Sequence, residues 1–167
     1  MAFPDPHYYY RLLVPGVVGP GYAADVHDVG PCDTQAFMAP IGGHTGQLWR
    51  FAPTGDGAWR LSTLFRGPAF SAEAVEDGPE GKVRLRPGAS DAQAWIVEPI
   101  DGPFALAETA LGPFARSAYA RLSTRLRGPA WSLDLTLGGG GFLPSLTEGR
   151  DRPGQAWFLS CTEARAH

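Results

Sequence analysis

The chain is poor in several residue types, and each shortage excludes a class of protein. Its 167 residues include a single lysine, Lys82, and carry a net charge of −3. A surface that follows nucleic-acid phosphates is excluded, because such binding needs clustered positive charge. No apolar stretch approaches the roughly 20 residues that cross a bilayer, and residues 1–5 lack the basic start of a signal peptide. We therefore expect a soluble cytoplasmic protein with no membrane insertion and no nucleic-acid partner.

Cysteine is also scarce. The only two cysteines are Cys32 and Cys161, which is too few for the disulfide framework of a small secreted domain. We predict two separate thiols, and a single bridge between Cys32 and Cys161 is the alternative. In either case the core has to come from apolar side chains.

Glycine and proline, by contrast, are abundant. The chain has 22 glycines and 16 prolines, spread between short apolar runs, which is typical of many tight turns rather than of long helices. With 44% hydrophobic residues it can bury the core of one domain. The composition predicts an all-β protein with a single domain over residues 1–167.

One tripeptide, Gln-x-Trp, occurs three times, and each copy ends a longer similar stretch. Upstream of each copy, a turn containing Gly-Pro is followed by an aromatic residue, and a carboxylate follows three residues after that aromatic. Similarity of this kind indicates one unit of roughly 45 to 60 residues used three times. The aromatics are Tyr22, Phe70 and Trp131, the carboxylates are Asp25, Glu73 and Asp134, and the tripeptides are Gln47-Leu48-Trp49, Gln93-Ala94-Trp95 and Gln155-Ala156-Trp157.

Short apolar runs between turn signals predict four strands in each unit and twelve in all. The units lie at about 8–53, 54–99 and 119–161, with an insertion at about 100–118 that could form a helical turn or two. The predicted strands are Tyr8–Val14, Tyr22–Val26, Gln35–Ala39, Leu48–Ala52, Trp59–Leu64, Phe70–Val75, Lys82–Arg86, Ala94–Glu98, Tyr119–Leu126, Trp131–Leu137, Phe142–Thr147 and Ala156–Ser160.

The residues of the tripeptides are predicted to be scaffold. A unit with one apolar face cannot bury it alone, so the three units must pack together around large aromatics at matching positions. Trp49, Trp95 and Trp157 are therefore predicted to be buried. The glutamines are predicted to bond backbone groups of an irregular turn, because a buried amide needs hydrogen-bond partners.

Three four-stranded units, each with an aromatic, a carboxylate and a closing Gln-x-Trp, resemble the β-trefoil of the ricin B-chain type lectin family. The resemblance covers about Tyr8 to Cys161. It is stronger to the cytoplasmic trefoil lectins of fungi than to the secreted plant toxins, since a signal peptide and paired cysteines are missing. It implies a closed barrel with pseudo-threefold symmetry and the tryptophans inside. It also implies a sugar site made of an early Asp, an aromatic further along the chain and an Asn beside the motif Gln.

The first unit fits this sugar site best. Asp25 has the place of the carboxylate, whose oxygens accept charge-assisted bonds from adjacent hydroxyls, and Phe37 offers a ring face for a pyranose. The alternatives are that Asp25 only satisfies a turn, that Phe37 belongs to the core and that His44 is a solvated loop residue. The predicted carbohydrate-binding residues are Asp25, Gln35, Phe37, His44, Gly46 and Gln47.

The chain lacks the asparagine that the family has beside the motif Gln. No asparagine occurs in the sequence, and the corresponding positions are Gly46, Ala92 and Gly154. If the first unit binds a sugar, His44 or a backbone amide has to supply the missing contact.

The second and third units depart further. The second has Glu73 for the Asp and Arg84 in the place of the aromatic, so its site is predicted to be degenerate. The third keeps Asp134 but has Ser145 in the aromatic place. It is the second-choice carbohydrate site, formed by Asp134, Phe142, Arg150 and Asp151.

Motifs of catalysis and of metal binding are missing. The chain has no HExxH, GxSxG or GxxxxGKS/T pattern, and its four histidines lack metal-ligand spacing. The glycine run 138–141 precedes no helix, so it indicates a hairpin tip rather than a phosphate loop. We predict no enzyme activity, no catalytic residues, no cofactor and metal-independent binding.

The predicted function is a carbohydrate-binding lectin whose partners are glycans or glycoconjugates of galactose type. Its single-site affinity is expected to be weak and to be raised in a homodimer, since linked sites gain effective concentration. Two alternatives remain: a trefoil protease inhibitor that acts through an exposed loop such as the 100–118 insertion, and a protein-interaction scaffold with degenerate sugar sites.

Overall fold

The structure is a computed structural model, and it describes residues 3–30, 33–74, 82–102, 117–138 and 141–167. Most of the predicted insertion at 100–118 lies outside these residues, and so does Cys32. Cys161, the other cysteine, is buried. Within the described ranges no helix combines the length and the apolar character needed to cross a bilayer.

Twelve strands, one short helix and three 3-10 helices make up the described chain. The helix α1 is Pro15–Val18, with proline in its first turn, where the missing N–H has no helical partner to lose. The 3-10 helices are Thr45–Gln47, Asp91–Gln93 and Pro153–Gln155. The strands are β1 Tyr8–Leu13, β2 Tyr22–Val26, β3 Ala36–Pro40, β4 Trp49–Pro53, β5 Trp59–Thr63, β6 Phe70–Ala74, β7 Val83–Pro87, β8 Trp95–Pro99, β9 Ala118–Thr124, β10 Trp131–Gly138, β11 Gly141–Glu148 and β12 Trp157–Arg165.

Six of the strands close into an antiparallel barrel in the order β1-β12-β9-β8-β5-β4. The other six form three separate hairpins, β2-β3, β6-β7 and β10-β11. Gly138 pairs with Gly141 at the end of the third hairpin, as predicted for the glycine run. The described fold is all-β, and its six-stranded barrel with three hairpins fits the trefoil expected from the sequence.

The tripeptide tryptophans lie at the centre of the core. Trp49, Trp95 and Trp157 are 2%, 1% and 0% exposed, which confirms that they are core residues. Each indole N–H donates a hydrogen bond to a backbone carbonyl of a hairpin strand, and these three bonds tie the hairpins to the barrel. The accepting carbonyls are those of Ala24, Ala72 and Leu133, at 2.9, 2.8 and 2.8 Å.

The tripeptide glutamines bond backbone groups in the loop that leads into each of these barrel strands and at or just beyond the end of the preceding hairpin strand. The Oε1 of Gln47 accepts a bond from the Gly42 N–H at 3.1 Å, and its Nε2 donates to the Pro40 carbonyl at 2.9 Å. Gln93 and Gln155 repeat this arrangement, as predicted for a buried amide. Their partners are Ser90 and Arg86 for Gln93, and Arg152 and Gly149 for Gln155.

The predicted strands coincide with observed ones, with differences at the ends. β4, β8 and β12 begin at the tryptophan, one residue later than predicted, because the preceding residue closes the 3-10 turn. β12 runs to Arg165 rather than ending at Ser160, because its last residues pair with β1 and bring Arg165 opposite Tyr8. Pairing between the two ends of the chain is a tertiary contact that the local pattern does not contain.

Candidate functional site

The first hairpin brings the predicted carboxylate and the predicted aromatic together. Asp25 on β2 lies directly opposite Phe37 on β3, and side chains of directly opposed residues share one face of a two-stranded sheet. The same register sets Glu73 opposite Arg84 and Asp134 opposite Ser145. Arg84 and Ser145 therefore do stand in the place of the aromatic, as the sequence comparison indicated.

The Asp25 carboxylate is held in a fixed orientation. Its side chain is mostly buried, with Asp25 7% exposed. Oδ1 accepts a hydrogen bond from the Val26 N–H at 2.8 Å, and Oδ2 accepts one from Gln47 Nε2 at 3.2 Å. Since each carboxylate oxygen can accept two bonds, both oxygens keep capacity for a ligand hydroxyl. The tripeptide glutamine thus links the scaffold to the site.

Gly46 lies directly against this carboxylate. A β-carbon on Gly46 would collide with Asp25 Oδ1, and it would come within 3.2 Å of Val26 Cγ2. Gly46 itself is buried at the centre of the 3-10 helix Thr45–Gln47. The position that the family gives to asparagine therefore has no room for a side chain here while Asp25 keeps this orientation.

A pocket of about 400 Å³ opens above the hairpin. Four of the six predicted residues line it, namely Asp25, Phe37, His44 and Gly46. Gln47 is fully buried behind them and reaches the site only through its bond to Asp25. The volume is within the range of small-molecule sites.

Gln35 is the predicted residue that the structure does not bring to the pocket. Its backbone carbonyl accepts a bond from the His27 N–H at 3.0 Å, and it forms a bridge with Arg84 of the second hairpin. Its side chain is 4% exposed, and Oε1 has no hydrogen-bond partner among the described residues. Gln35 therefore belongs to the contact between hairpins.

Besides Val26 and Ala39, four further lining residues were missed by the sequence analysis. The His27 imidazole stacks on the Phe37 ring, with the ring centroids 4.0 Å apart and the planes at 16°. Asp28 follows it, Thr45 starts the 3-10 helix, and Phe65 reaches the pocket from the turn after β5. His27 and Asp28 directly follow the predicted strand that carries Asp25, so their position was a usable signal. The sequence carries no such signal for Phe65, because its turn lies in the next predicted unit, at about 54–99.

The second-choice site has a different local structure. The Asp134 side chain is buried, and Oδ2 accepts a bond from Thr147 Oγ1 at 2.8 Å. Gln155 donates to that same hydroxyl at 3.2 Å, so the glutamine reaches this carboxylate through a threonine. Opposite Asp134, Ser145 Oγ lies 2.7 Å from Thr136 Oγ1, where the first hairpin has an aromatic ring.

The other three residues of the second-choice site have separate surroundings. Phe142 packs against the main core, and both Glu98 carboxylate oxygens accept bonds from Arg150 Nη2 at 2.8 Å. Asp151 accepts a bond from Arg121 at 2.5 Å and lines a depression of about 310 Å³ with that arginine. Phe142, Arg150 and Asp134 are not among the residues that line this depression.

The described ranges contain no group of three or more His, Cys, Asp or Glu side chains arranged to hold a metal ion. The protease-inhibitor alternative depended on the insertion at 100–118, of which only 100–102 and 117–118 are described.

Comparisons with known proteins concern the fold. No protein-family model matches the sequence, and no curated protein matches it. A designed 3-fold symmetric protein, ThreeFoil, is similar in structure with a TM-score of 0.64 and 21% identity, over 91% of this chain and 97% of that chain. The β-trefoil of BEL in its apo form has a TM-score of 0.64 and 13% identity, over 96% of this chain and 97% of that chain.

A third similar structure is a complex with a glycan. It is the lectin of Polyporus squamosus bound to the human-type influenza-binding epitope Neu5Aca2-6Galb1-4GlcNAc, with a TM-score of 0.63 and 15% identity. The match covers 92% of this chain and 49% of that chain, so this chain spans about half the length of that lectin. At these identities the comparisons show the fold, which is an all-β trefoil.

Proposed function

We propose that this chain is a carbohydrate-binding lectin with one principal site on its first hairpin. The observation that carries the proposal is the opposed pair Asp25 and Phe37, which opens onto a pocket of about 400 Å³. A fixed carboxylate beside an aromatic face suits a sugar, because hydroxyls and an apolar ring face occur together on a pyranose. The glycan-bound trefoil lectin of similar structure supports the same class of ligand.

Each side chain has a distinct part in this proposal. Asp25 accepts bonds from adjacent sugar hydroxyls with the oxygen capacity that Val26 and Gln47 leave free. His27 stacks in parallel on one face of the Phe37 ring, and the opposite face is the stacking surface for the sugar in this proposal. His44, exposed at the rim, stands where it can supply the polar contact that the absent asparagine makes in the family.

The remaining sequence-based expectations extend this proposal. We propose three four-stranded repeats with pseudo-threefold symmetry, supported by three hairpins and three tryptophan-to-hairpin bonds. We further propose a galactose-type sugar, binding without metal or catalysis, a cytoplasmic location and a homodimer that raises avidity.

A glycan array probed with the untagged protein tests the proposal, together with Asp25→Asn and Asp134→Asn variants. These two aspartates have equivalent positions on the first and third hairpins. We expect array binding to persist in EDTA, to be lost in Asp25→Asn and to be retained in Asp134→Asn. An array on which the folded wild-type protein binds nothing would refute the lectin proposal, and equal loss in both variants would refute the choice of the first hairpin.

A further inference from the structure

The pocket on the first hairpin has an unbalanced set of charged groups. Two carboxylates line it, those of Asp25 and Asp28, together with the imidazoles of His27 and His44. Among the lining residues that the structure describes there is no lysine or arginine. The local field at neutral pH is therefore set mainly by the two carboxylates, which favour cationic ligands and oppose anionic ones.

A nearby guanidinium does not reverse this field. Arg66 follows the lining residue Phe65 and lies over its ring, 5.0 Å from the centroid. It is held by an ion pair with Asp33, with Nη2 2.6 Å from Oδ1. An ion-paired guanidinium is largely neutralised towards its surroundings, so it offers a ligand anion little attraction.

The two carboxylates have different surroundings. Asp25 is buried and bonded to Val26 and Gln47, so its orientation is part of the scaffold. Asp28 is exposed beyond the end of β2, and none of the ion pairs of the described ranges engages it. Asp28 can therefore respond to the charge of a ligand without any change in the hairpin.

We propose that Asp28 is a charge-selecting residue of the sugar site, which makes this site prefer amino sugars over neutral sugars and reject acidic ones. The inference rests on the proposed lectin function and adds the charge class of the ligand. An ammonium group in the pocket is attracted by Asp28 and Asp25, whereas a uronate, sialate or sulfate meets two carboxylates and no cationic side chain among the described lining residues. Juxtaposed like charges oppose binding.

Exposure limits the size of the Asp28 contribution. Exposed ion pairs change binding by about two- to fivefold because water and salt screen them. The discrimination against an acidic sugar should be larger, about tenfold or more, because Asp25 is buried and less screened.

The test measures binding of three monosaccharides that share the galacto ring and differ in charge: galactosamine, galactose and galacturonic acid. Titration at pH 7, by calorimetry or ligand-observed NMR, is done with the wild-type protein, Asp28→Asn and the control Asp91→Asn. Asp91 is an exposed aspartate on the second 3-10 helix and does not line the pocket. Each measurement is repeated at 0.5 M NaCl.

For the wild-type protein we expect the affinity order galactosamine, galactose, galacturonic acid, with the spread shrinking at high salt. Asp28→Asn should lower the ratio of galactosamine to galactose affinity by about two- to fivefold and leave galactose binding nearly unchanged. Asp91→Asn should behave as the wild-type protein.

Two results would overturn the inference while leaving the lectin proposal in place. One is galacturonic acid binding as tightly as galactose, and the other is an Asp28→Asn variant with the wild-type ratio of galactosamine to galactose. If none of the three sugars binds, the same series in the gluco configuration is decisive. Silence there as well overturns the lectin proposal together with this inference.

Discussion

The backbone of Gly46 packs against the Asp25 carboxylate without space for a single methyl group between them. Gly154 has the same relationship with Asp134 on the third hairpin. The corresponding position in the second 3-10 helix is Ala92, and the longer Glu73 carboxylate extends towards Arg86, with Oε1 3.7 Å from Nε. In two loops, therefore, a glycine packs against a short acidic side chain. That side chain occupies the space that an asparagine at the glycine position would need.

The close contact at Gly46 predicts a loss of function from a small substitution. Gly46→Ala should displace the Asp25 carboxylate and weaken sugar binding by about tenfold or more, since a misplaced site group weakens each hydrogen bond it makes. Gly154→Ala is the matched control, because it produces the same collision at Asp134. Both variants should melt at a lower temperature, but only Gly46→Ala should lose affinity in a calorimetric titration. Equal affinity in the two variants would contradict a site on the first hairpin.

Substitutions of the tripeptide glutamines should distinguish effects on stability from effects on sugar binding. Gln47→Leu and Gln93→Leu each remove bonds to a loop N–H and to a carbonyl at the end of a hairpin strand, so each should lower the free energy of unfolding by about 1–3 kcal/mol. Only Gln47 also donates to the site carboxylate. Urea denaturation should therefore give similar losses for the two variants, while sugar binding should fall in Gln47→Leu alone. Wild-type affinity in a folded Gln47→Leu protein would rule out this orienting bond.

The buried indoles predict a graded loss of stability. Trp95→Ala should lower the free energy of unfolding by about 3–5 kcal/mol, the usual cost of deleting a large core side chain. Trp95→Phe keeps most of the apolar volume but leaves the Ala72 carbonyl without its indole donor, so a loss of about 1–3 kcal/mol is expected.

Trp131 is the control for this series, because it is only half-buried and packs under the Arg127 guanidinium, 4.6 Å from the ring centroid. Trp131→Ala should cost less than Trp95→Ala in urea unfolding followed by circular dichroism. The reverse order would show that the core is not organised around the tripeptide tryptophans.

Because the Tyr119 side chain is buried, we expect the stability of the fold to decrease at alkaline pH. Burial raises the pKa of the Tyr119 hydroxyl above its ordinary value, and this hydroxyl has no hydrogen-bond partner in the described part of the chain. The unfolded chain ionises this group from about pH 10 upward, whereas the folded chain resists ionisation. The stability contributed by the un-ionised Tyr119 hydroxyl is therefore fully present below about pH 10, and it is lost as the pH rises through the folded-state pKa.

Thermal melting from pH 8 to pH 11 checks this expectation with the variant Tyr119→Phe, which removes the titrating group and keeps the contact with Phe158. The melting temperature of the variant should fall less between pH 9 and pH 11 than that of the wild-type protein. Parallel curves would assign the alkaline loss of stability to other groups.

Much of the scaffold was predictable because its determinants are local and repeated. Trp49, Trp95 and Trp157 each follow a glutamine by two positions, and that spacing is what a 3-10 turn followed by a barrel strand requires. The family resemblance suggested that Asp25 and Phe37 share a site, and the strand register sets these two residues opposite each other.

The site itself was only partly predictable. Asp25, Phe37, His44 and Gly46 were recognised by resemblance and do line one pocket, whereas Gln35 lies at a contact with the second hairpin. The partners of the second-choice residues Arg150 and Asp151 are Glu98 and Arg121, on strands far along the chain. A spacing in the sequence carries no information about such partners.

The sequence by itself determined an all-β architecture, because hydrophobic spacing, turn residues and the tryptophan positions act within a few residues of one another. Only the tertiary structure decided what surrounds the carboxylate. His27 stacks on Phe37, Phe65 enters from the turn after β5, and the loop backbone at Gly46 closes beneath Asp25. These contacts depend on how separate elements close around the barrel, a geometry that exists only once the whole chain has packed.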